Sequence, residues 1–120
     1  MTTLTKTVTI ADLKRAIEGR DAKAFASFYA DNAVVRIIDR DHSPSAPLEL
    51  RGKATIAAFY DDVCSRNMSH KLESGVAEGS RLAFTQSCAA PDGARVFCSA
   101  MIELDGGRIA RQTIVQAWDA

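Results

Sequence analysis

Two side chains capable of proton transfer stand at the ends of predicted strands. His70 opens a long strand, and a neutral imidazole readily takes up and releases a proton near pH 7. Asp39 ends a short apolar strand beside the polar loop that carries Asp41 and His42. We therefore predict His70 and Asp39 as catalytic acid–base residues. The plainer alternatives are a structural or exposed histidine and a solvated carboxylate.

Two tyrosines are candidates for the wall of a binding pocket. Tyr29 continues an apolar stripe with Phe25 and Phe28 at the i, i+3, i+4 spacing of a helix. Tyr60 follows Phe59 in a second stripe of this kind. Aromatic residues with helical spacing are usually core, and that alternative stays open. Since a phenol can also hold a polar ligand group, we predict Tyr29 and Tyr60 as ligand-binding residues.

The last predicted strand places two carboxamides and an indole on one face. Gln112, Gln116 and Trp118 stand an even number of residues apart, so their side chains point the same way. Each carboxamide offers a donor and an acceptor to a polar ligand group. The opposite face carries Arg111 and Val115, so hydrophobicity alone does not decide which face is inward. The alternative is a partner chain packed on the glutamine face.

Three amphipathic helices must hold these side chains in place. Thr9 opens the first helix in a capping box in which Asp12 replaces the usual Glu. Gly19 is expected to close it in a left-handed conformation. Asp21 is the N-cap of the second helix, which the apolar stripe extends through Tyr29. A third helix carries Tyr60 and is expected to end near position 67.

Beyond position 69 the apolar period changes from that of a helix to that of a strand. Glycine-containing turns near positions 79, 93 and 106 separate four long strands, which predicts an antiparallel meander. The predicted strands span 34–39, 48–50, 70–78, 81–89, 95–104 and 108–118.

Long antiparallel strands twist, and when helices cover one face they curl into an open cone. The predicted fold class is therefore α+β, a cone-shaped half-barrel in which a curved, mostly antiparallel sheet carries three helices over its concave face. A cone closed in this way encloses a cavity, which is the usual shape of a small-molecule site. We therefore predict a hydrophobic small molecule as partner.

Composition excludes several classes of protein. Of the 120 residues 47% are hydrophobic and 25% charged, as in ordinary globular domains. Basic and acidic residues number 15 each, which argues against nucleic acid or an acidic membrane surface. No apolar run approaches the roughly 20 residues of a transmembrane helix, and the N-terminus lacks a signal core. The three cysteines show no metal-ligand spacing. We predict one cytoplasmic domain over 1–120, with no membrane or nucleic-acid partner and no metal.

Four segments have a recognisable pattern: FYADNAVV at 28–35, RG at 51–52, IAAFY at 56–60 and GRI at 107–109. Together they resemble the NTF2-like superfamily, in particular its SnoaL-like and ketosteroid-isomerase-like branches. The resemblance covers nearly the whole chain and implies the NTF2-like cone. It also implies that Tyr29 and Tyr60 match the family's pocket tyrosines and that the glutamine face of the last strand is inward. This fold hosts isomerases, cyclases, dehydratases, epoxide hydrolases and non-catalytic modules.

Ketosteroid isomerases need an Asp base, together with a Tyr and a protonated Asp that form an oxyanion hole. The resemblance places Leu13, Ile37 and Ala100 at those three positions. None of these side chains can abstract a proton or donate to an oxyanion. We therefore expect no steroid isomerisation by that mechanism, and we expect Ile37 and Ala100 to be apolar ligand contacts.

The third long strand is apolar on both faces. Phe97 and Met101 alternate with Cys98, Ala100 and Ile102, which predicts that both faces of the sheet are covered. Since helices cover one face, a second copy of the chain is expected on the other. A homodimer through the sheet is also what the family resemblance implies.

Two functions fit these observations. The first is a SnoaL-like, cofactor-independent isomerase, cyclase or dehydratase acting on a hydrophobic substrate without the ketosteroid isomerase residues. The alternative is a non-catalytic small-molecule-binding or accessory dimeric module. A structural dimer with a closed core is a third possibility.

Overall fold

The computed structural model describes residues 7–119 as a succession of helices and strands. Their bounds are α1 Ile10–Glu18, α2 Ala22–Ser27, β1 Tyr29–Ile38, β2 Leu48–Arg51, α3 Lys53–Ser65, β3 Ser69–Glu78, β4 Arg81–Ala89, β5 Arg95–Asp105 and β6 Arg108–Trp118. None of the helices within residues 7–119 is both long and apolar enough to cross a membrane.

The strands form a single sheet in the order β2-β1-β6-β5-β4-β3. Strands β3 to β6 make the predicted antiparallel meander, and β2 is antiparallel to β1. Among the strands that the structure describes, only the pairing of β1 with β6 is parallel. The sheet is curved and open, with three helices packed against it, so the predicted α+β cone is confirmed.

The predicted N-caps and the end of the first helix at Gly19 are confirmed, but the left-handed conformation predicted for Gly19 is wrong. Asp12 N–H donates to Thr9 Oγ1 at 3.1 Å while Thr9 N–H donates to Asp12 Oδ2 at 3.0 Å, which completes the capping box. Gly19, however, has φ −84°, and the left-handed residue is Arg20 with φ +50°. A tertiary contact accompanies this conformation, since Arg20 Nη1 donates to the carbonyl oxygen of Arg66 at 2.8 Å.

The helical position expected for Tyr29 is also wrong, because Tyr29 is the first residue of β1. Helix α2 ends at Ser27, whose hydroxyl donates to Ala24 O at 2.5 Å. The Ile109 N–H of β6 then donates to Phe28 O at 2.8 Å. Because this carbonyl is paired with a strand, the helix does not continue for another turn. Strand β1 therefore starts at Tyr29 and not at position 34 as predicted, whereas the other predicted strand bounds differ from the observed ones by at most one residue and the end of α3 by two.

The two faces of the sheet differ sharply in exposure. On β5 the residues Cys98 and Ala100 are buried against the helices, whereas Phe97 is 49% and Met101 58% exposed on the convex face. Val76 on the neighbouring hairpin is 69% exposed. The core therefore lies between the helices and the concave face, and the convex face carries uncovered apolar side chains.

Candidate functional site

A hollow lies between the helices and the concave face, and it has two adjoining parts. The inner cavity has a volume of about 80 Å³ and the outer pocket about 350 Å³. Both parts are lined by Phe59, Val63, His70, Gln86, Cys98 and Gln116. Ligand pockets usually measure roughly 300 Å³ or more, so only the outer pocket reaches that size by itself.

The residues that line the hollow on the sheet form rows that run across strands β4, β5 and β6. Paired residues on neighbouring strands point to the same face of a sheet. Three rows succeed one another along the concave face: Gln86, Cys98 and Gln116; then Phe84, Ala100 and Ile114; then Leu82, Ile102 and Gln112. An apolar row therefore separates carboxamides at the outer end, which we call the mouth, from the carboxamide at the other end, the deep end.

At the deep end three polar side chains form a buried hydrogen-bond chain. The Tyr29 hydroxyl donates to Gln112 Oε1, and the Tyr60 hydroxyl lies 3.2 Å from that of Tyr29. Burial raises the pKa of Tyr60 to about 12 and that of Tyr29 well above its ordinary value, so both are neutral phenols at pH 7. Phe25 stacks on Tyr60 with ring centroids 4.3 Å apart, which fixes the ring.

Three buried side-chain atoms in residues 7–119 have no hydrogen-bond partner, and all three belong to residues that line the inner cavity. They are His70 Nε2, Gln86 Oε1 and Gln112 Nε2. An unpaired buried polar atom costs about 1–3 kcal/mol, so such atoms are rare in folded proteins. Their presence around one cavity marks it as a place where a polar group of a ligand can bind.

At the mouth, His70 is held through a thiol. Its Nδ1 atom lies 3.0 Å from Cys88 Sγ. The neighbouring thiol of Cys98 and burial raise the pKa of Cys88, so its thiol stays protonated at pH 7. In the tautomer that carries its proton on Nδ1, the imidazole of His70 donates to this sulfur. The Nε2 atom of the imidazole is then unprotonated.

His70 is neutral at pH 7. Burial lowers its pKa, and the positive charge of Arg20 lowers it further. A neutral imidazole with a free Nε2 lone pair beside an apolar hollow is suited to accept a proton. Within residues 7–119, no cluster of three or more His, Cys, Asp or Glu side chains is placed to hold a metal ion.

Asp39 lines the outer pocket but not the inner cavity. His42 Nδ1 lies 2.8 Å from Asp39 Oδ1, and the Asp41 N–H donates to the same oxygen at 2.9 Å. Burial acts to raise the pKa of Asp39, but these hydrogen bonds outweigh it and the pKa is lowered. Asp39 is therefore an ionised carboxylate tied to its own loop.

Trp118 forms the rim of the mouth. Its Nε1–H donates to Gln116 Oε1 at 3.0 Å, and the Arg40 guanidinium lies 4.2 Å from the centre of its ring. The Gln116 oxygen is thereby occupied, which leaves its amide N–H groups for other partners.

The structure brings most of the predicted site residues together. Tyr60, Ala100 and Gln112 line the inner cavity; Ile37, Asp39 and Trp118 line the outer pocket; His70 and Gln116 line both. Tyr29 lines neither part, because it lies behind the wall with no exposed surface. Gln86 is a lining residue absent from the predicted set, although the two-residue period of β4 places it on one face with Phe84.

Similarity searches agree with this fold. The model of the SnoaL-like domain matches residues 10–112. A protein of unknown function from Mesorhizobium loti, described as NTF2-like, has a TM-score of 0.79 at 14% identity, covering 90% of this chain and 87% of that one. An LEH-like epoxide hydrolase from M. tuberculosis has a TM-score of 0.66 at 16% identity, covering 90% and 79%.

A provisionally assigned ketosteroid isomerase from Kribbella flavida has a TM-score of 0.72 at 18% identity, covering 92% of this chain and 74% of that one. At such identities these likenesses establish the fold alone. No curated protein matches the chain. The family match covers most of the sequence, and the chain therefore belongs to the family of SnoaL-like domains.

Proposed function

We propose that this protein binds a small, largely apolar molecule in the hollow and transfers a proton on it, as a cofactor-independent isomerase, cyclase or dehydratase does. The observation that supports this function best is the Nε2 atom of His70, which is buried, unpaired and part of the wall of the inner cavity. In this proposal His70 is the catalytic base.

The proposed proton transfer has two steps. The apolar row of Phe84, Ala100 and Ile114 holds the body of the substrate, and Nε2 removes a proton from a carbon next to a carbonyl group. The electron pair of the broken C–H bond moves into the carbonyl, and the imidazolium later returns the proton to the same or another carbon. Because the pKa of His70 is lowered, it is a weak base, and the substrate needs an activated C–H bond.

The test is isotope exchange on a simple carbon acid. In D₂O at pD near 7, the wild-type protein is expected to accelerate loss of the α-protons of β-tetralone, followed by proton NMR. His70→Gln should lower that acceleration by about 100-fold or more while binding of β-tetralone is retained. Asp39→Asn, at a carboxylate already held by His42, should have a smaller effect. Equal acceleration by wild type and His70→Gln would refute the catalytic role.

A non-catalytic binding module is the second candidate. It is favoured by the apolar side chains at the positions where ketosteroid isomerases have catalytic groups, since Leu13, Ile37 and Ala100 are all buried. A binding module predicts that β-tetralone binds without any exchange above the buffer rate.

The same proposal includes a homodimer in the cytoplasm. Phe97, Met101 and Val115 are all at least 47% exposed on the convex face, and pairing of two sheets would cover them. Free thiols at the described cysteines fit a reducing compartment. Sedimentation velocity should show a dimer for wild type and a monomer for Met101→Glu, whereas a wild-type monomer would refute this part.

A further inference from the structure

Apart from the tyrosines, Gln112 is the one polar or charged residue among those described that is almost completely buried, with 2% of its surface exposed. Only one of the two polar atoms of its carboxamide forms a hydrogen bond. The oxygen accepts from Tyr29, whereas Nε2 has no partner and belongs to a residue that lines the inner cavity. A buried donor beside a cavity needs an acceptor, and the ligand is the group that can supply it.

The orientation of this amide follows from counting protons along the chain of hydroxyls. If the Tyr60 hydroxyl donates to Tyr29 and Tyr29 donates to Gln112 Oε1, both phenol protons are paired and only the N–H groups of Gln112 remain free. With the amide turned over, Nε2 donates to Tyr29 and the protons run the other way. The Tyr60 hydroxyl, the amide oxygen and one N–H then all lack partners. The first arrangement leaves fewer buried groups unpaired.

The charge of the surroundings restricts the ligand further. Among residues 7–119, the side chains that line the inner cavity include no Lys or Arg, and the single histidine among them is neutral. The two phenols stay protonated at pH 7. A carboxylate or phosphate inserted there would be buried without a counter-charge, which is strongly unfavourable. A neutral acceptor carries no such penalty.

We propose that the deep end is a binding site for an uncharged carbonyl oxygen, which accepts a hydrogen bond from Gln112 Nε2. Tyr29, which does not touch the ligand, is a positioning residue that holds the amide with its N–H groups toward the cavity. The inference rests on the proposed function only in requiring that a ligand occupies the hollow. It is independent of any proton transfer by His70.

The test uses two probes of the same shape that differ in the acceptor. Acetophenone carries C=O where α-methylstyrene carries C=CH₂. Dissociation constants from ligand-observed NMR are expected to favour acetophenone by about tenfold on wild type, the usual worth of one buried hydrogen bond. The side-chain NH₂ signal of Gln112 should shift with acetophenone and stay in place with α-methylstyrene, a readout that needs no variant.

Three variants test which residue causes the preference for acetophenone over α-methylstyrene. Gln112→Met, which keeps the length of the side chain, should abolish the discrimination while α-methylstyrene still binds. Thr113→Val, on the opposite face of the same strand and outside the hollow, is the control and should keep it. Tyr29→Phe frees the amide to turn, so the preference should fall and α-methylbenzyl alcohol, a hydroxyl donor, should gain affinity relative to acetophenone.

The outcomes separate this inference from the proposed function. Equal affinity of wild type for acetophenone and α-methylstyrene would overturn the carbonyl site while leaving the ligand hollow intact. Stronger binding of α-methylbenzyl alcohol than of acetophenone would show that the deep end prefers a hydroxyl group to a carbonyl acceptor, and it would overturn the inference as well. Failure of all three probes to bind wild type would overturn both the hollow and the carbonyl site.

Discussion

At both ends of the hollow, a neighbouring side chain orients a polar group by a hydrogen bond, but the two ends differ in burial. At the deep end, Tyr29 has no exposed surface and orients the carboxamide of Gln112. At the mouth, Cys88 orients the imidazole of the half-buried His70. A fully buried group has no solvent to exchange protons with, so it is suited to recognition. A half-buried imidazole beside an outer pocket can exchange its proton, so it is suited to transfer.

The largest expected effect is on stability at the deep end. Tyr29→Ala removes a fully buried aromatic ring and the donor to Gln112, and it should lower the free energy of unfolding by about 3–5 kcal/mol. Urea denaturation measures this change. Trp118→Ala at the partly exposed mouth is the matched truncation and should cost clearly less. Equal losses at the two sites would remove the contrast between the ends.

Filling the inner cavity should separate ligand binding from stability. Ala100→Leu directs a larger apolar side chain into the cavity, and acetophenone affinity should fall by about tenfold or more because the side chain occupies its space. The free energy of unfolding should change by only about 1 kcal/mol, because part of the added volume is already empty. Ser99→Leu, the neighbouring exposed position, should leave affinity unchanged. A strong loss of stability without loss of affinity would contradict the cavity.

At the rim, the contact of Arg40 with Trp118 should contribute little. Arg40→Gln removes a cation from the face of an indole at a largely exposed site, and about 0.5–1 kcal/mol of unfolding free energy should be lost. The loss should vanish in a Trp118→Leu background, which a double-mutant cycle measures. A coupling energy near zero would show that the stacking does not stabilise the mouth.

The smallest effect is a pH dependence at the mouth. The pKa of His70 is lowered in the folded state, so its contribution is fully present above the ordinary histidine pKa of about 6.5. As the pH falls through that value toward the folded pKa, the unfolded chain binds the proton first and stability decreases. Denaturation midpoints for wild type and His70→Gln should therefore diverge below pH 6.5. Parallel curves would contradict the lowered pKa.

Much of the fold and of the lining could be predicted because both depend on local periodicity. The two-residue period of the last strand predicted that Gln112 and Gln116 share one face of that strand. The helical spacing of the apolar residues predicted that Tyr60 lies on the buried face of the third helix. Glycines at the turns marked the hairpins, where Gly79 and Gly93 take positive φ.

The errors lie where distant parts of the chain decide the local conformation. Tyr29 has a helical pattern, yet the Ile109 N–H pairs with the preceding carbonyl and starts a strand. The left-handed turn falls at Arg20, whose side chain bonds to the carbonyl of Arg66 and not to its own helix. The unpaired atom of Gln86 results from the packing of helices and strands that are distant in sequence, for which no sequence period gives a signal.

The parallel pairing of β1 with β6 has a consequence for the order of folding. Tyr29 and Gln112 are separated by 83 positions, and the strand that carries Gln112 is synthesised after the five other described strands. Contacts between such distant segments form slowly, because a long loop must close first. A nascent chain that stops before β6 therefore cannot make the Tyr29–Gln112 hydrogen bond. In such a chain, β1 also lacks its neighbour β6, so one edge of β1 has unpaired backbone N–H and C=O groups. Unpaired strand edges can pair with other chains, so the incomplete chain is more prone to aggregation than the folded protein.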